Sequence, residues 1–469
     1  MMRCCFITLG CRVNQYESDA MAELLTQAGF EITENPAEAD VCIVNTCTVT
    51  NIADRKSRQM LSKAHKLNPN AKLIAAGCFA QRSPEAAAKL EGVYAVLGSA
   101  DKNRVVELVK SIAEGRENEP KSEKCNCEEK ELCDCCGGMK KFEQPENSEC
   151  SGNAAGGAKI LVRDVMHEHE FEEMSAVHEG RTRAYLKIQD GCNMFCTYCA
   201  IPYARGGLRS RSIESVRAEA EKLNNEGFSE VVLTGIHLMS YGRDLRSGTD
   251  IRDAVRCFDG LNNIKRIRFG SLEPHMMTDE IIAELADNKR ICRQFHLSLQ
   301  SGSDTVLERM RRGYTSGQYF ELCQKLRRAF GGETAVTTDI IAGFPGETED
   351  EHLETIEFMR KVGFAKVHIF PYSRRSGTKA DAMPGQLSNA EKSRRAMLCG
   401  FSYTIRSSVL RFPRAWRMLQ AGLQNPPQTG RSQAARRFKK QSDDYLDSLA
   451  ALIASIIIGT TLNRSPQMP

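Results

Sequence analysis

The chain has 469 residues and a net charge of +4, with 41% hydrophobic and 26% charged residues. This composition excludes a fibrous or disordered protein, and so small a net charge does not by itself indicate binding to nucleic acid. The length exceeds that of a single hydrophobic core and predicts two or three domains.

The cysteines and the chain start indicate a reducing compartment. Nineteen cysteines in a chain of this length are too few for a disulfide scaffold and favour metal ligands or free thiols. The first residues carry only a short apolar run, without the long apolar core and cleavage site of a signal peptide. The apolar stretch Leu449 to Leu462 is shorter than the roughly 20 residues of a membrane span. We therefore expect a cytoplasmic protein with no membrane segment.

Three strand-like runs in the first hundred residues each end at a cysteine, namely Cys11, Cys47 and Cys78, and helix-like sequence follows each. Strands that alternate with helices predict a parallel α/β sheet, in which crossovers bring successive strand ends to one edge. We therefore expect the three thiols to converge at the edge where such sheets bind ligands. They could hold an iron–sulfur cluster with one open iron, or they could be three buried thiols.

The range 113–180 differs in composition. It is rich in Glu, Lys, Gly, Ser and Asn and lacks apolar periodicity, which is typical of a linker or insertion. Its cysteines could bind zinc or another soft metal, but their spacing matches no zinc ribbon. We expect a flexible insertion in which metal binding is incidental. The cysteines concerned are Cys125, Cys127, Cys133, Cys135, Cys136 and Cys150.

Six strand-like runs follow from residue 183 onward, separated mostly by helix-like sequence. Six βα units are fewer than the eight of a closed barrel and predict a partial, open barrel with its site at the carboxyl ends of the strands. After the fifth strand, Thr348 and an acidic first turn predict the start of a helix. The predicted strands span 184–189, 230–235, 266–270, 295–300, 335–343 and 365–373.

The strongest motif is a CxxxCxxC loop directly after the first barrel strand, formed by Cys192, Cys196 and Cys199. Three thiolates on such a loop can hold three irons of a cubane and leave the fourth iron open. S-adenosylmethionine could bind that iron through its amino and carboxylate groups, and one electron could then cleave the sulfonium to give a radical. The alternative is a zinc loop that lacks its fourth ligand.

The segment from Cys192 to Arg211, CNMFCTYCAIPYARGGLRSR, resembles the radical S-adenosylmethionine (radical SAM) methylthiotransferase family. The resemblance covers about residues 3 to 105 and 183 to 395. It implies an α/β protein with an N-terminal parallel, flavodoxin-like domain (1–112) and a partial (β/α)6 radical SAM barrel (181–398).

The same resemblance implies a second, auxiliary [4Fe–4S] cluster on Cys11, Cys47 and Cys78. The cofactors would then be two [4Fe–4S] clusters and S-adenosyl-L-methionine. One molecule of the cofactor would supply the methyl group and a second the radical, while the auxiliary cluster would present the sulfur.

Several barrel strand ends match, in outline, the positions at which the family binds its cofactor. Glycine lets the backbone approach a ligand, although a glycine at a strand end is also common in a plain turn. The resemblance implies contacts with the methionine and ribose parts of the cofactor after the second, fourth and fifth strands. The matching residues are Thr234, Gly235, Gln300, Ser301, Gly302, Asp339 and Gly343.

Two arginines and a histidine near these strand ends are further candidates. Arg205 and Arg211 follow the cysteine loop and could pair with the cofactor carboxylate or an RNA phosphate, or they could be solvated surface residues. His237 could act as a base, but radical chemistry needs none here, and we interpret it as a structural histidine. No catalytic residue is assigned beyond the clusters.

Short loops indicate the subgroup. The runs NTCTVT from Asn45, ADRKSRQ from Ala53 and AIPYARG from Ala200 are most similar to the members that act on N6-threonylcarbamoyladenosine. The resemblance thus implies a tRNA methylthiotransferase that converts this nucleoside, at position 37 beside the anticodon, to its 2-methylthio derivative. Its partners would be the tRNA anticodon stem-loop and an electron donor. The rivals are the same chemistry on isopentenyl-adenosine or a ribosomal-protein aspartate, and a non-catalytic iron–sulfur protein.

The resemblance ends before the tail, residues 399–469. Family members end in a small β-barrel domain that binds tRNA, and the tail has no alternating strand pattern. From Phe401 to Lys440 it contains many Arg and Lys and no Asp or Glu. We interpret the tail as a frameshift product or, alternatively, as a basic extension that binds phosphates without specificity.

Overall fold

The computed structural model describes residues 1–115, 157–176 and 181–411, with the backbone alone for residues 401 and 404–411. The chain divides into residues 1–403 and 404–469. The predictions made for the cysteines between 125 and 150, and for the chain beyond residue 411, lie outside the described residues. Within the described ranges, no helix combines the length and apolarity that crossing a bilayer requires.

The N-terminal sheet confirms the predicted parallel α/β domain. All of its strand pairs are parallel, and the order 2-1-3-4-5 of its first five strands is that of flavodoxin-like sheets. A sixth strand extends the sheet beside the fifth. The strands are β1 (Arg3–Thr8), β2 (Glu31–Ile32), β3 (Val41–Thr46), β4 (Lys72–Gly77), β5 (Val93–Leu97) and β6 (Lys159–Leu161).

Helices cover both faces of this sheet, which is why its central strands are continuous apolar runs. Alternate strand residues enter two separate cores. Ile43 packs with Leu25 on one face, and Val44 packs with Leu61 on the other. The helices are α1 (Arg12–Gln27), α2 (Asn51–Leu67), α3 (Cys78–Arg82), α4 (Pro84–Ala88) and α5 (Val105–Ala113).

Strand β6 corrects part of the linker prediction, because it lies inside the range 113–180. It pairs with β5 in parallel register, and Ile160 packs on one of the two cores. Further along, Met174 and Ala176 are buried against Tyr16. This part of the range is therefore built into the first domain. The limits of the four predicted ranges remain predictions.

The second half of the described chain forms the predicted open barrel. Strands β7 (Ala184–Lys187), β10 (Glu230–Thr234) and β11 (Arg266–Phe269) are parallel neighbours. After a break at Gly270, the parallel order continues through the remaining strands. These are β12 (Ser271–Leu272), β13 (Gln294–Leu297), β14 (Ala335–Ala342) and β15 (Lys366–Pro371). A short antiparallel pair, β8 (Gln189–Asp190) and β9 (Arg209–Ser210), lies beyond the end of β7.

Helices pack on the outside of the barrel strands. Thr348 caps the helix after β14 as predicted, and Glu351 completes a capping box. Cys399, the first residue of the predicted tail, is buried in the barrel core on the helix that begins at Asn389. The helices are α6 (Ile201–Arg205), α7 (Ile213–Asn225), α8 (Ile251–Arg256), α9 (Asp279–Asp287), α10 (Asp304–Arg309), α11 (Ser316–Phe330), α12 (Glu349–Val362) and α13 (Asn389–Arg411).

Candidate iron–sulfur and cofactor site

The three N-terminal cysteines lie at the carboxyl ends of neighbouring strands. Cys11 caps α1 after β1, Cys47 follows β3, and Cys78 is the first residue of α3 after β4. Because these strands are adjacent and parallel, the structure brings the three residues to one edge of the sheet.

Three of the six candidate cysteines follow a glycine with a positive φ: Gly10 (103°), Gly77 (88°) and Gly191 (69°). A Cβ on Gly10 would lie 3.1 Å from Sγ of Cys47, and one on Gly77 would lie 2.8 Å from the carbonyl oxygen of Thr46. A side chain at either position would therefore disturb the approach of the strand ends. The repeated Gly-Cys pair is thus a local sequence signal for these cysteine positions.

The CxxxCxxC loop is fixed by backbone hydrogen bonds. The amide of Cys192 donates to the carbonyl oxygen of Gly206 at 3.1 Å, and the amide of Thr197 donates to that of Met310 at 3.1 Å. Phe195 adopts a φ of 47°, which is uncommon for a residue with a side chain. The loop is thus anchored to two other parts of the barrel.

A buried arginine contacts this loop directly. Nη1 of Arg312 lies 3.2 Å from Sγ of Cys196, and Nη2 donates to Glu273 at 2.6 Å. Burial by itself would raise the pKa of Glu273, but the hydrogen bond with His275 and the charge of Arg312 bring that pKa below its usual value. The sequence analysis missed Arg312 and Glu273, whose positions after α10 and β12 carry no recognisable local pattern.

The donor sets fit clusters with one open iron. Burial raises the pKa of Cys47 and Cys192 to about 11 and that of Cys199 to about 12, and neighbouring thiols add to each shift. With pKa values this high the thiols stay protonated unless a cation lies beside them, and iron would supply the positive charge that lets them bind as thiolates. Among the described residues, no group of three His, Cys, Asp or Glu side chains is arranged to hold a single metal ion. A cubane is wider than one ion and takes ligands that stand further apart.

Arg205 has a different role from the one expected. It is fully buried, and its Nε donates to Sγ of Cys78 at 3.3 Å. Its Nη atoms donate to Glu17 and Asn14 at 2.7 Å and to Asp190 at 3.0 Å. All three guanidinium nitrogens are hydrogen-bonded inside the protein. The structure therefore corrects the expectation that Arg205 contacts a cofactor carboxylate or an RNA phosphate.

The partners of Arg205 belong to a buried ion-pair network between the two domains. Glu17 of α1 also pairs with Lys187 of β7 at 2.7 Å and with Lys102 at 3.3 Å. Asp190 pairs with Lys187 at 2.6 Å. Burial by itself would raise the pKa of Glu17, but Arg205, Lys102 and Lys187 lower it to about 2. The carboxylates are therefore ionised.

Arg211 is likewise buried rather than solvated or free for a ligand. Its guanidinium pairs with Glu219, and its Nε donates to Glu173 at 3.0 Å and to Ser215 at 2.9 Å. These contacts attach α7 to the segment before the barrel. Because its guanidinium is bonded inside the protein, the structure also corrects the expectation that Arg211 contacts the cofactor or RNA.

The candidate residues after the second strand lie against the start of the cysteine loop. Thr234 is buried at the end of β10. A Cβ on Gly235 would lie 2.9 Å from Oε1 of Gln189. That same oxygen accepts a hydrogen bond from the amide of His237 at 2.6 Å. Glycine at this position therefore lets β10 pack closely on the residues before Cys192.

His237 makes one side-chain hydrogen bond inside the protein, and its interpretation as a structural histidine stays a prediction. Its Nδ1 is 2.6 Å from Oγ of Ser240, and burial lowers its pKa. Its Nε2 lies 3.9 Å from Glu273 and has no hydrogen-bond partner among the residues described.

The candidates after the fourth strand divide into two groups. Gln300, with a φ of 74°, bonds to the backbone of β14 beside Asp339. Ser301 and Gly302 turn instead toward α12, where Oγ of Ser301 is 3.1 Å from Oγ1 of Thr355. The side-chain position at Gly302 is filled by α12, so packing alone accounts for the glycine.

The two candidates at the fifth strand, Asp339 and Gly343, differ in their exposure. Gly343, with a φ of 78°, donates its amide to Glu347 at 3.2 Å, and a Cβ there would lie 2.7 Å from Cγ of Lys392. Asp339 faces the barrel interior with a side chain that is 31% exposed, and its carboxylate is 3.3 Å from Nε2 of His296. Asp339 is thus open to a ligand, whereas Gly343 is enclosed by α13.

Polar residues that the sequence analysis missed line the inner face of the barrel. On β13, Phe295 and Leu297 belong to the outer core, so His296 between them points inward. Nδ1 of His296 is 3.0 Å from Thr337, and its ring centre is 6.2 Å from that of His368. The alternation of apolar residues with histidine along the strands is the signal that could have identified this face.

The open barrel, with a three-cysteine loop after its first strand, defines a radical SAM enzyme. Residues 186–359 match the model of the Radical SAM superfamily, and residues 3–98 match that described as Uncharacterized protein family UPF0004. The chain is 39% identical over 391 residues to threonylcarbamoyladenosine tRNA methylthiotransferase MtaB of Bacillus subtilis, a match that covers 83% of this chain and 78% of that protein. It therefore belongs to the radical SAM methylthiotransferase family, in the MtaB subgroup, and its cofactors are S-adenosylmethionine and [4Fe–4S] clusters.

Two further comparisons extend this result. The chain is 34% identical over 399 residues to tRNA-2-methylthio-N(6)-dimethylallyladenosine synthase of Moorella thermoacetica, covering 83% of this chain and 80% of that one. The solved radical SAM methyltransferase TsrM of Kitasatospora setae matches with a TM-score of 0.53 at 17% identity, over 80% of this chain and 74% of that chain. At this identity the likeness concerns the fold alone.

The packing account of Gly302 can be tested by stability. A Cβ at this residue would lie 2.7 Å from Cβ of Phe358 and 2.8 Å from Cα of Thr355. Gly302→Ala should therefore lower the free energy of unfolding by about 1–3 kcal/mol, through overpacking. Gly332→Ala is the matched control, because a Cβ there meets no atom within 4 Å. Thermal unfolding followed by circular dichroism compares the two, and equal midpoints would contradict the packing account.

Proposed function

We propose that this protein converts N6-threonylcarbamoyladenosine at position 37 of tRNA to its 2-methylthio derivative. The choice of substrate rests on sequence identity, which is 39% to the Bacillus subtilis MtaB protein across both domains and 34% to the dimethylallyladenosine enzyme. The reaction takes place in the cytoplasm, and its partners are the tRNA anticodon stem-loop and an electron donor. When bound, the clusters and S-adenosylmethionine supply the electron, the radical and the site of sulfur attachment.

Cys192, Cys196 and Cys199 are the proposed ligands of the radical SAM cluster. Arg312 supports this assignment, because its guanidinium, 3.2 Å from Sγ of Cys196, places positive charge beside the thiolates. Hydrogen bonds to cluster sulfurs tune the reduction potential. Glu273 holds the guanidinium in position through hydrogen bonds of 2.6 and 2.7 Å.

Cys11, Cys47 and Cys78 are the proposed ligands of the auxiliary cluster. Arg205 has the corresponding role here, since its Nε is 3.3 Å from Sγ of Cys78. Helix α6, which directly follows the CxxxCxxC loop, ends at Arg205 and packs against α3, which begins at Cys78. The two cysteine groups are thus joined by one pair of short helices, as a reaction that uses both clusters on one nucleoside requires.

The inner face of the barrel is the proposed place of the nucleoside. His296 and His368 supply hydrogen-bonding groups there, and Phe370, on the same face of β15 as His368, is 45% exposed. An exposed aromatic ring provides a surface on which a splayed-out base can stack. The proposed contacts of S-adenosylmethionine are Thr234 and Gln300, at the carboxyl ends of their strands, and Asp339, on the inner face of β14.

The substrate assignment predicts a specific change in cellular tRNA. A strain that lacks the gene should lose 2-methylthio-N6-threonylcarbamoyladenosine and retain the 2-methylthio isopentenyl nucleoside. Mass spectrometry of digested tRNA, with and without a plasmid copy of the gene, measures both. Loss of the isopentenyl product alone would transfer the assignment to that substrate, and an unchanged pattern would refute tRNA methylthiolation.

Iron content tests the radical SAM ligands. Protein reconstituted without oxygen should hold about eight irons, four per cubane. Changing Cys192, Cys196 and Cys199 to Ala should leave about four irons and abolish cleavage of S-adenosylmethionine. The control changes three other barrel cysteines, Cys257, Cys292 and Cys323, to Ala and should keep about eight. Full iron content in the first variant would show that the loop does not hold a cluster.

A single substitution should distinguish the roles of the two clusters. Cys47→Ala should remove or destabilise the auxiliary cluster, because Cys47 is one of its three proposed ligands, while reductive cleavage of S-adenosylmethionine stays measurable at the other site. Formation of the methylthio product should stop. Cleavage and product are followed in one anaerobic assay by chromatography and mass spectrometry. Normal product formation by this variant would contradict the role given to the N-terminal domain.

A further inference from the structure

Helix α2 carries a row of basic residues along its solvent side. Arg55, Arg58, Lys63 and Lys66 are all exposed, and together with Gln59 and Ser62 they line an open depression on the surface. Their spacing of three to five residues places them on one face of the helix, about one charge per 5.4 Å turn. We call these six residues the basic stripe.

The charge of the basic stripe is not neutralised in the part of the chain that the structure describes. No carboxylate there pairs with any of its four cations, and the ring of Phe79 lies 5.6 Å from the guanidinium of Arg58. The acidic residue of α2, Asp54, is held by Arg375 at 2.7 Å and by Thr48 at 2.7 Å. The stripe therefore presents a row of positive charge to solvent.

The position of the stripe relates it to the candidate site. Helix α2 begins four residues after Cys47, and its first residue, Asn51, contacts Ser373 and Arg374 just beyond the end of β15. The stripe thus starts where the cysteine edge of the first domain meets the carboxyl edge of the barrel. From Arg55 to Lys66 it extends about 16 Å away from that point.

We propose that the basic stripe binds the phosphate backbone of the tRNA substrate while the target nucleoside occupies the barrel. The inference rests on the proposed function for the identity of the RNA. Single charges repeated along a line match the phosphates of one strand, which position a nucleic acid without reading its sequence. An acidic protein that delivers electrons is the competing occupant, and the linear extension of the stripe away from the cysteines favours RNA.

The test removes three stripe charges from the full-length, reconstituted protein by changing Arg55, Lys63 and Lys66 to Gln. The dissociation constant of an anticodon stem-loop should rise by at least about tenfold near physiological salt. The slope of log K against log salt should fall by about two to three, roughly one for each lost phosphate contact. Fluorescence anisotropy across a salt series measures both quantities.

A matched control removes the same charges elsewhere. Three basic residues on the barrel are likewise exposed, namely Lys265, Lys289 and Arg328. Lys265 directly precedes β11 and Lys289 follows α9, so both lie at the end of the barrel opposite the carboxyl edge. Changing these three residues to Gln also removes one Arg and two Lys, so the net charge of the control equals that of the stripe variant. The control should bind the stem-loop with the parent affinity and salt slope.

The outcomes separate this inference from the proposed function. The stripe variant should cleave S-adenosylmethionine without RNA at the parent rate, with a raised KM for tRNA and an unchanged kcat at saturating tRNA. If the parent protein modifies tRNA and the stripe variant binds the stem-loop like the control, the inference is wrong and the proposed function stands. Slower reduction by an acidic electron-transfer protein, with unchanged RNA binding, would assign the stripe to the reductant instead. A parent protein that modifies no tRNA would overturn the proposed function itself.

Discussion

The buried network around Glu17 and Arg205 is the interaction on which the arrangement of this protein depends. Glu17 belongs to the first domain, and Arg205 belongs to the barrel; both are completely buried and joined at 2.7 Å. A buried charge that loses its partner destabilises a protein by several kcal/mol. The two domains therefore cannot shift against each other without exposing or orphaning these charges, and the cysteine edge of the first domain is held against the barrel.

The same network sets the electrostatics beside the proposed auxiliary site. Among its members that pair within 3.5 Å there are three cations, Lys102, Lys187 and Arg205, and two carboxylates, Glu17 and Asp190. One of these cations, Arg205, donates from its Nε to Sγ of Cys78 at 3.3 Å. An anionic thiolate-bound cluster is the neighbour that this excess of cations favours. The contact between domains and the chemistry of the site thus share one set of residues.

The sequence predicted the features that local pattern determines. Apolar runs that end in cysteine placed Cys11, Cys47 and Cys78 on strand ends, because strand period and crossover rules act over short distances. Arg205 was misjudged, because its burial depends on Glu17, 188 residues away in the chain. Strand β6 is three residues long and follows a long polar segment, so it offers too short a pattern to recognise. The inward His296 required knowing which strand face the helices cover.

Among the described residues, the open barrel leaves its first and last strands, β7 and β15, without neighbours that would complete the ring. The N-terminal domain contacts the barrel at both of these edges. Lys187 on β7 pairs with Glu17 of α1, and Arg375, just after β15, pairs with Asp54 of α2. Two successive helices of one domain thus connect the two edges of the barrel. Because α1 follows Cys11 and α2 follows Cys47, these connections also determine where the thiols lie. The opening that admits a large substrate and the position of the second cysteine group follow from the same incomplete ring.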